Sequence, residues 1–158
     1  MVNFTRDISK NNLIYLFSNE GLPHLIKMLR SCLPKEEAIA KSAKEGPKPQ
    51  AELKINVYNV IVCLDLMSMC CEGKSDVAEK KCQQEIVNLQ TAYFLYSHSG
   101  KLWPFKCCIL KYISHCYLDS GNENLFKNQN NIQNLKSLFE AILEDMITIQ
   151  EEWHSNKE

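Results

Sequence analysis

A chain of 158 residues, 45% of them hydrophobic and 23% charged, is long enough for one domain with a hydrophobic core and has an ordinary globular composition. Lysine and arginine number 18 against 19 acidic residues, so the net charge of −1 does not suggest binding to nucleic acid or to an acidic membrane. We therefore expect a single domain over residues 1–158, with no nucleic-acid partner and no direct membrane insertion.

Eight cysteines are many for this length, but they do not form the pattern of a secreted disulfide scaffold. The start, Met1–Lys10, is polar and does not resemble a signal peptide. Four cysteines fall at apolar positions of predicted helices, where a thiol behaves as a small buried hydrophobe. These four are Cys63, Cys70, Cys108 and Cys116. A reducing, cytosolic compartment is the expected location.

The first third of the chain predicts two short helices and a loop. Residues 11–19 are apolar at helical spacing, and Gly21 after them is placed as a C-terminal cap. Pro23 then suits the first turn of a second helix. That helix has an apolar stripe at Leu22, Leu25, Ile26 and Leu29. Residues 35–52 combine glycine, prolines and mixed charges, and predict an exposed loop within the domain.

Residues 53–71 predict the most hydrophobic helix, apolar on nearly all sides, which we expect neighbours to cover on most of them. One face carries Leu53, Val57, Val60, Ile61 and Leu64, and the other Tyr58, Val62, Leu66 and Met69. Polar residues interrupt the segment too often for a membrane span, which needs about 20 mostly apolar residues. Ser75 can cap the next helix, with Asp76 in its first turn.

The second half predicts a short helix at Val77–Lys81, a helix at about 84–97 stopped by Gly100, and two longer helices. The first of these, opened by Pro104, has one apolar face made of Phe105, Cys108, Ile109, Tyr112, Ile113, Cys116 and Tyr117. An Asn-rich loop at 122–131 precedes the last helix. The predicted buried stripe of the last helix is Ile132, Leu135, Leu138, Phe139, Ile142, Met146, Ile149 and Trp153.

No segment alternates apolar and polar residues long enough for a strand, so the sequence predicts an all-α fold. Six or seven helices in antiparallel pairs, separated by Gly- and Pro-marked turns, are typical of an armadillo- or HEAT-like stack. Because stacked repeats bury faces that one repeat cannot bury alone, a short stack exposes apolar surface at its ends.

No motif in the sequence predicts a catalytic, cofactor-binding or metal-binding residue. A zinc site is expected to show cysteines and histidines at short paired spacing, and the adjacent pairs Cys70–Cys71 and Cys107–Cys108 lack it. Cys82 and His98 join Cys71 only if the fold happens to bring them together. The interpretation from the sequence is therefore buried structural thiols.

Two further patterns resemble sites without meeting their requirements. Cys116 beside His115 suggests a nucleophile and a base, but adjacent helical residues point about 100° apart. The loop from Asp119 has glycine third and Asn130 twelfth, whereas a calcium-binding EF-hand needs glycine sixth and glutamate twelfth. Phosphate-binding and His-Glu-x-x-His motifs are absent from the sequence. We therefore do not expect an enzyme.

Three collinear stretches resemble the helical domain shared by inositol 1,4,5-trisphosphate and ryanodine receptors, known as the RIH domain. They are LIYLFSNEGLPHLIKMLRS at residues 13–31, VIVCLDLMSMCCEGKSDVAEKKC at residues 60–82, and KYISHCYLD at residues 111–119. The chain is most similar to the copy behind the ligand-binding region of the inositol trisphosphate receptors. It departs from the family pattern at 35–49 and 83–101.

The resemblance implies a cytosolic scaffold segment of an intracellular calcium-release channel in the endoplasmic reticulum or another calcium store. Such a segment links ligand sensing to gating, and its partners are neighbouring helical domains of the same polypeptide and adjacent subunits of a tetramer. In that family the ligand site lies upstream and the pore downstream, so no functional residue and no cofactor is transferred to this chain. A free-standing armadillo-like adaptor that binds a protein partner is the alternative.

Overall fold

The computed structural model describes Ser18 and residues 21–32, 57–72, 75–120 and 123–155, and these residues form an all-α structure without strands. The predicted fold class is therefore confirmed. Residues 11–17 and the loop at 35–52 lie outside the described residues. The described α-helices are α1 (Gly21–Cys32), α2 (Val57–Glu72), α3 (Asp76–Lys81), α4 (Leu89–His98), α5 (Trp103–Ile113) and α6 (Gln129–Ser155).

Helix α5 contacts both α2 and α4 at the centre of the core, while α1 packs on α2 and α6 packs on α4. Its central position explains its sequence, because all seven residues of the predicted apolar face are buried. That prediction is confirmed. Whether the helices form a repeat stack of the armadillo type stays a prediction, since the described packing does not establish a repeat.

Local signals in the sequence fix several helix ends. The Ser75 hydroxyl accepts a hydrogen bond from the Ala78 amide at 3.5 Å, as predicted for a cap, and Asn88 caps α4 in the same way through Thr91. Gly100 ends the turn after α4 with a left-handed φ of 54°, a conformation that glycine adopts without a side-chain clash. Pro104 lies in the first turn of α5.

Other boundaries differ from the predictions. Gly21, predicted as a C-terminal cap, is the first residue of α1, and its amide donates to the Ser18 hydroxyl at 3.3 Å. The helix predicted at about 84–97 begins only at Leu89, because Cys82–Ile86 continues α3 as a π turn. The predicted Asn-rich loop contains a 3-10 turn at Glu123–Lys127, and α6 begins inside it at Gln129.

The predicted burial is confirmed only in part for two helices. Tyr58 and Val62 of α2 are 74% and 49% exposed, whereas Leu66 and Met69 of the same predicted face are half-buried. In α6 only Leu135 and Leu138 of the predicted stripe are buried. Five members of that stripe are exposed instead, namely Ile132, Phe139, Met146, Ile149 and Trp153. The physical reason is that α4 contacts α6 along a side rotated away from its most apolar face.

A polar junction connects α4, α5 and α6. The Lys106 ammonium, with only 8% of its side chain exposed, lies 2.7 and 2.9 Å from the Asp145 carboxylate oxygens. The Tyr96 hydroxyl donates to the same carboxylate at 2.6 Å. The ammonium also lies 4.7 Å from the centroid of the Tyr96 ring and 5.2 Å from that of Trp103. This junction compensates a buried positive charge and fixes where α6 meets the core.

Candidate functional site: a buried cluster of three thiols

Three cysteines from separate segments meet in the core. Cys71 lies in the last turn of α2, Cys82 in the π turn after α3, and Cys116 in the π turn Ser114–Leu118 that continues α5. Their sulfur atoms all lie within 4.8 Å of one another, and those of Cys71 and Cys82 are 3.7 Å apart. The three residues are 2%, 0% and 0% exposed. Solvent therefore does not reach this cluster, which we call the thiol cluster.

Two of the three thiols are placed by π turns. In each turn an amide bonds a carbonyl five residues earlier: Val87 to Cys82 at 3.3 Å and Asp119 to Ser114 at 2.8 Å. The wider turn shifts the following side chains relative to a regular α-helix. Single π turns within helices occur often at functional sites because they re-aim side chains in this way.

Two buried tyrosines and the half-buried Gln83 hold the backbone around the cluster. The Tyr112 hydroxyl donates toward the carbonyl oxygens of Cys82 and Val87, both at 3.0 Å, and the Tyr117 hydroxyl donates to Val87 at 2.8 Å. The Gln83 amide donates to the Cys116 carbonyl at 2.6 Å. These bonds tie the two π turns together, so the positions of Cys82 and Cys116 are set by the fold and not by the thiols themselves.

The pKa values of the three thiols are shifted in different directions. Hydrogen bonds from Cys116 and Cys82 lower the pKa of Cys71, against a smaller opposing effect of burial. The hydrogen bond with Cys116 also lowers the pKa of Cys82, but its bond to Cys71, burial and the nearby negative charges raise that pKa further, so it lies above its ordinary value. Hydrogen bonds to Cys71 and Cys82, then burial, raise the pKa of Cys116. Of the three, Cys71 is therefore the thiol whose deprotonation these interactions favour most.

His115 lies next to the cluster with an unused hydrogen-bonding atom. Its Nδ1 is buried and, unlike the other buried side-chain nitrogen and oxygen atoms in the described part of the chain, has no hydrogen-bond partner. The electrostatic effect of the His115 ring lowers the pKa of Cys71, and it is the smallest of the effects on that thiol. A buried polar atom without a partner is uncommon in native proteins and calls for an explanation.

Cys82 and His98 could join Cys71 only through the tertiary fold, and the structure brings one of the two to Cys71. Cys71 and Cys82 meet, whereas the His98 ring stacks on Phe94 with centroids 4.1 Å apart and its Nδ1 bonds the Phe94 carbonyl. Cys116 is the partner that sequence reasoning missed, because it fits an apolar stripe and shares no short spacing with the other two. The four cysteines predicted to be buried are buried, and Cys107 is exposed.

Among the described residues, the thiol cluster brings three potential metal-binding atoms close together. Soft thiolate sulfur is a ligand for zinc, copper(I) and iron. Adjacent thiols also act as mutual hydrogen-bond donors and acceptors, so the same arrangement fits a metal-free core.

Comparison with known proteins does not identify the chain, because no family model, curated protein or solved structure matches it. Among the described helices, none combines the length and the hydrophobicity needed to cross a membrane.

Proposed function

We propose that the chain is a non-catalytic scaffold segment of a larger helical assembly, specifically of the cytosolic part of an intracellular calcium-release channel of the inositol trisphosphate receptor type. One observation carries the scaffold part of the proposal: α6 presents an exposed apolar face beside the side that contacts the core. The channel part rests on the three collinear stretches that resemble the RIH domain.

The exposed face of α6 follows helical spacing. Phe139, Leu143 and Met146, at i, i+4 and i+7, are 54%, 59% and 61% exposed, while Leu138 beside them is buried. An apolar face of this kind on the outside of a domain marks an interaction surface. The occupant that fits it is the next helical pair of the same polypeptide, because stacked helical arrays cover such faces with the following repeat.

The scaffold proposal also accounts for the ion pairs and side-chain hydrogen bonds among the described residues. The ion pairs Lys106–Asp145 and Lys111–Asp65 each join two helices, and the buried tyrosines bond backbone carbonyls. These contacts fix one helix against another. Packed helices fixed in this way can transmit small rigid-body movements between two parts of a channel.

The size and neighbours of the native product test this proposal. An antibody against residues 35–53 is expected to detect a very large polypeptide in calcium-store membranes. A photo-crosslinking residue at position 146 of that polypeptide should form intrachain adducts, whereas the same residue at exposed Glu151, away from the apolar face, should not. A product near the 18.2 kDa of this chain, absent from membranes, would overturn the channel proposal.

The exposed face of α6 favours a second candidate as well, a free-standing adaptor that binds a helix of another protein. The same crosslinking experiment separates the two. An adaptor forms adducts from position 146 to a different polypeptide, and its own size stays near 18.2 kDa.

A further inference from the structure

We propose that Cys71, Cys82 and Cys116 bind a zinc ion as a structural site, with His115 as the fourth ligand. The site would clamp the end of α2 to the two π turns after α3 and α5. This inference is independent of the proposed function, because it concerns what holds the core together and not what the chain contacts.

The spacing of the sulfur atoms suits tetrahedral zinc. With Zn–S bonds of about 2.3 Å and tetrahedral angles, two thiolate ligands lie about 3.8 Å apart. Cys71 and Cys82 are 3.7 Å apart, and the third sulfur lies within 4.8 Å of both. A shift of less than about 1 Å in the Cys116 side chain therefore completes a tetrahedral face.

Burial distinguishes a structural from a catalytic role. Structural zinc is closed to solvent and bound by four protein ligands, whereas catalytic zinc keeps a position open to water. The three cysteines are at most 2% exposed. Each cysteine binds as a thiolate, and the cysteines that are protonated release their protons to solvent on binding, so zinc and three thiolates carry a net charge of −1.

His115 is the fourth ligand on two grounds. It precedes Cys116 in the same π turn, and its buried Nδ1 has no hydrogen-bond partner. A neutral imidazole nitrogen is an ordinary zinc ligand, and Cys3His is a common structural set. The ring has to turn toward the sulfurs to bind, because its nitrogens are not among the atoms that already converge.

The surrounding hydrogen bonds supply the preorganisation that such a site requires. Tyr112, Tyr117 and Gln83 hold the backbone of both π turns before any ion binds. Because the backbones of the ligands are already ordered, zinc binding loses less conformational entropy than it would at a disordered site. The alternative is a metal-free cluster in which one thiolate accepts hydrogen bonds from two thiols, and metal binding by the full chain distinguishes the two.

The test uses the full chain, reduced and stripped of metal, titrated with Co²⁺ and then with Zn²⁺. We expect about one equivalent of Co²⁺ to give the thiolate charge-transfer and tetrahedral d–d absorption bands, and Zn²⁺ to displace it. Bound zinc should also protect Cys71, Cys82 and Cys116 from alkylation under partly denaturing conditions, as located by mass spectrometry. A wild-type chain that binds no Co²⁺ tetrahedrally would overturn the proposal.

Matched cysteine variants locate the site. Cys71→Ser, Cys82→Ser and Cys116→Ser should each lose equimolar binding, whereas Cys63→Ser, an equally buried thiol outside the cluster, should keep it. If Cys63→Ser loses binding to the same extent while staying folded by circular dichroism, the assignment is wrong. Because buried substitutions can unfold the chain, the wild-type protection pattern decides independently: protection of other cysteines instead of these three overturns the site.

The role of His115 has its own variant. His115→Ala should weaken zinc affinity by about tenfold or more while keeping the thiolate-to-cobalt bands. It should also shift the d–d bands, because one nitrogen ligand is replaced by water. Unchanged affinity and unchanged bands would overturn the assignment of His115 as a ligand.

Discussion

The junction of Lys106 and Asp145 offers a quantitative test of how α6 is fixed to the core. Asp145→Asn keeps the size of the side chain and an oxygen that accepts from Tyr96, but removes the charge opposite Lys106. With 8% and 21% of the two side chains exposed, the pair is largely desolvated. Breaking a buried pair by neutralising one partner costs about 3–5 kcal/mol, and the partial exposure of Asp145 favours the lower end, about 3 kcal/mol.

The expected loss is large enough to measure by urea and thermal unfolding followed by circular dichroism. For a chain of this length, about 3 kcal/mol corresponds to a fall in Tm of roughly 6–12 °C. Glu140→Gln on the same helix is the control, because its pair with Lys136 is 3.9 Å long and exposed. That variant should cost about 0–0.5 kcal/mol.

A compensating variant separates loss of charge balance from general damage to α6. Lys106→Met together with Asp145→Asn removes both charges, keeps the acceptor for Tyr96, and should recover most of the lost stability. If Asp145→Asn costs no more than Glu140→Gln, or if the double variant is less stable than the single one, the junction does not act as an ion pair that fixes α6.

Three further predictions follow from burial and hydrogen bonding. Tyr112→Phe leaves buried carbonyl oxygens with fewer donors and should cost about 1–3 kcal/mol in urea unfolding, and an unchanged midpoint would contradict the role of its hydroxyl. Met146→Glu should change the free energy of unfolding in urea by about 0.5 kcal/mol or less, whereas Leu138→Glu should unfold the chain, as circular dichroism would show. Burial raises the pKa of Cys108 to about 11, above the ordinary 9.0, so this thiol stays protonated below that pH. Iodoacetamide at neutral pH should therefore modify the exposed Cys107 and spare Cys108, as mass spectrometry of the folded chain would show.

A zinc clamp and an exposed α6 face would divide the molecule into two functional regions. The thiol cluster joins α2, α3 and α5, and so stabilises the half of the core that carries two of the three stretches resembling the RIH domain. The exposed apolar face belongs to α6, which packs on α4 and contributes no residue to the thiol cluster. Zinc removal is therefore expected to lower stability without changing the residues that crosslink from position 146.

The sequence alone determined the helical class and much of its local detail. The 3.6-residue period of α5 predicted every buried position of its apolar face, because a helix covered by neighbours on both sides of one stripe needs that stripe to be apolar. Ser75 and Pro104 marked helix starts for reasons that are local to the backbone, namely a side-chain cap and a missing amide.

Only the tertiary structure decided which apolar face of α6 is covered and which cysteines meet. Phe139 and Leu138 are equally apolar, and their burial depends on the side from which α4 approaches. Cys71, Cys82 and Cys116 converge because two π turns re-aim side chains and because α2 packs on α5, and neither effect leaves a short-range spacing in the sequence. Local periodicity specifies helices, whereas a site assembled from three helix ends depends on how those helices pack.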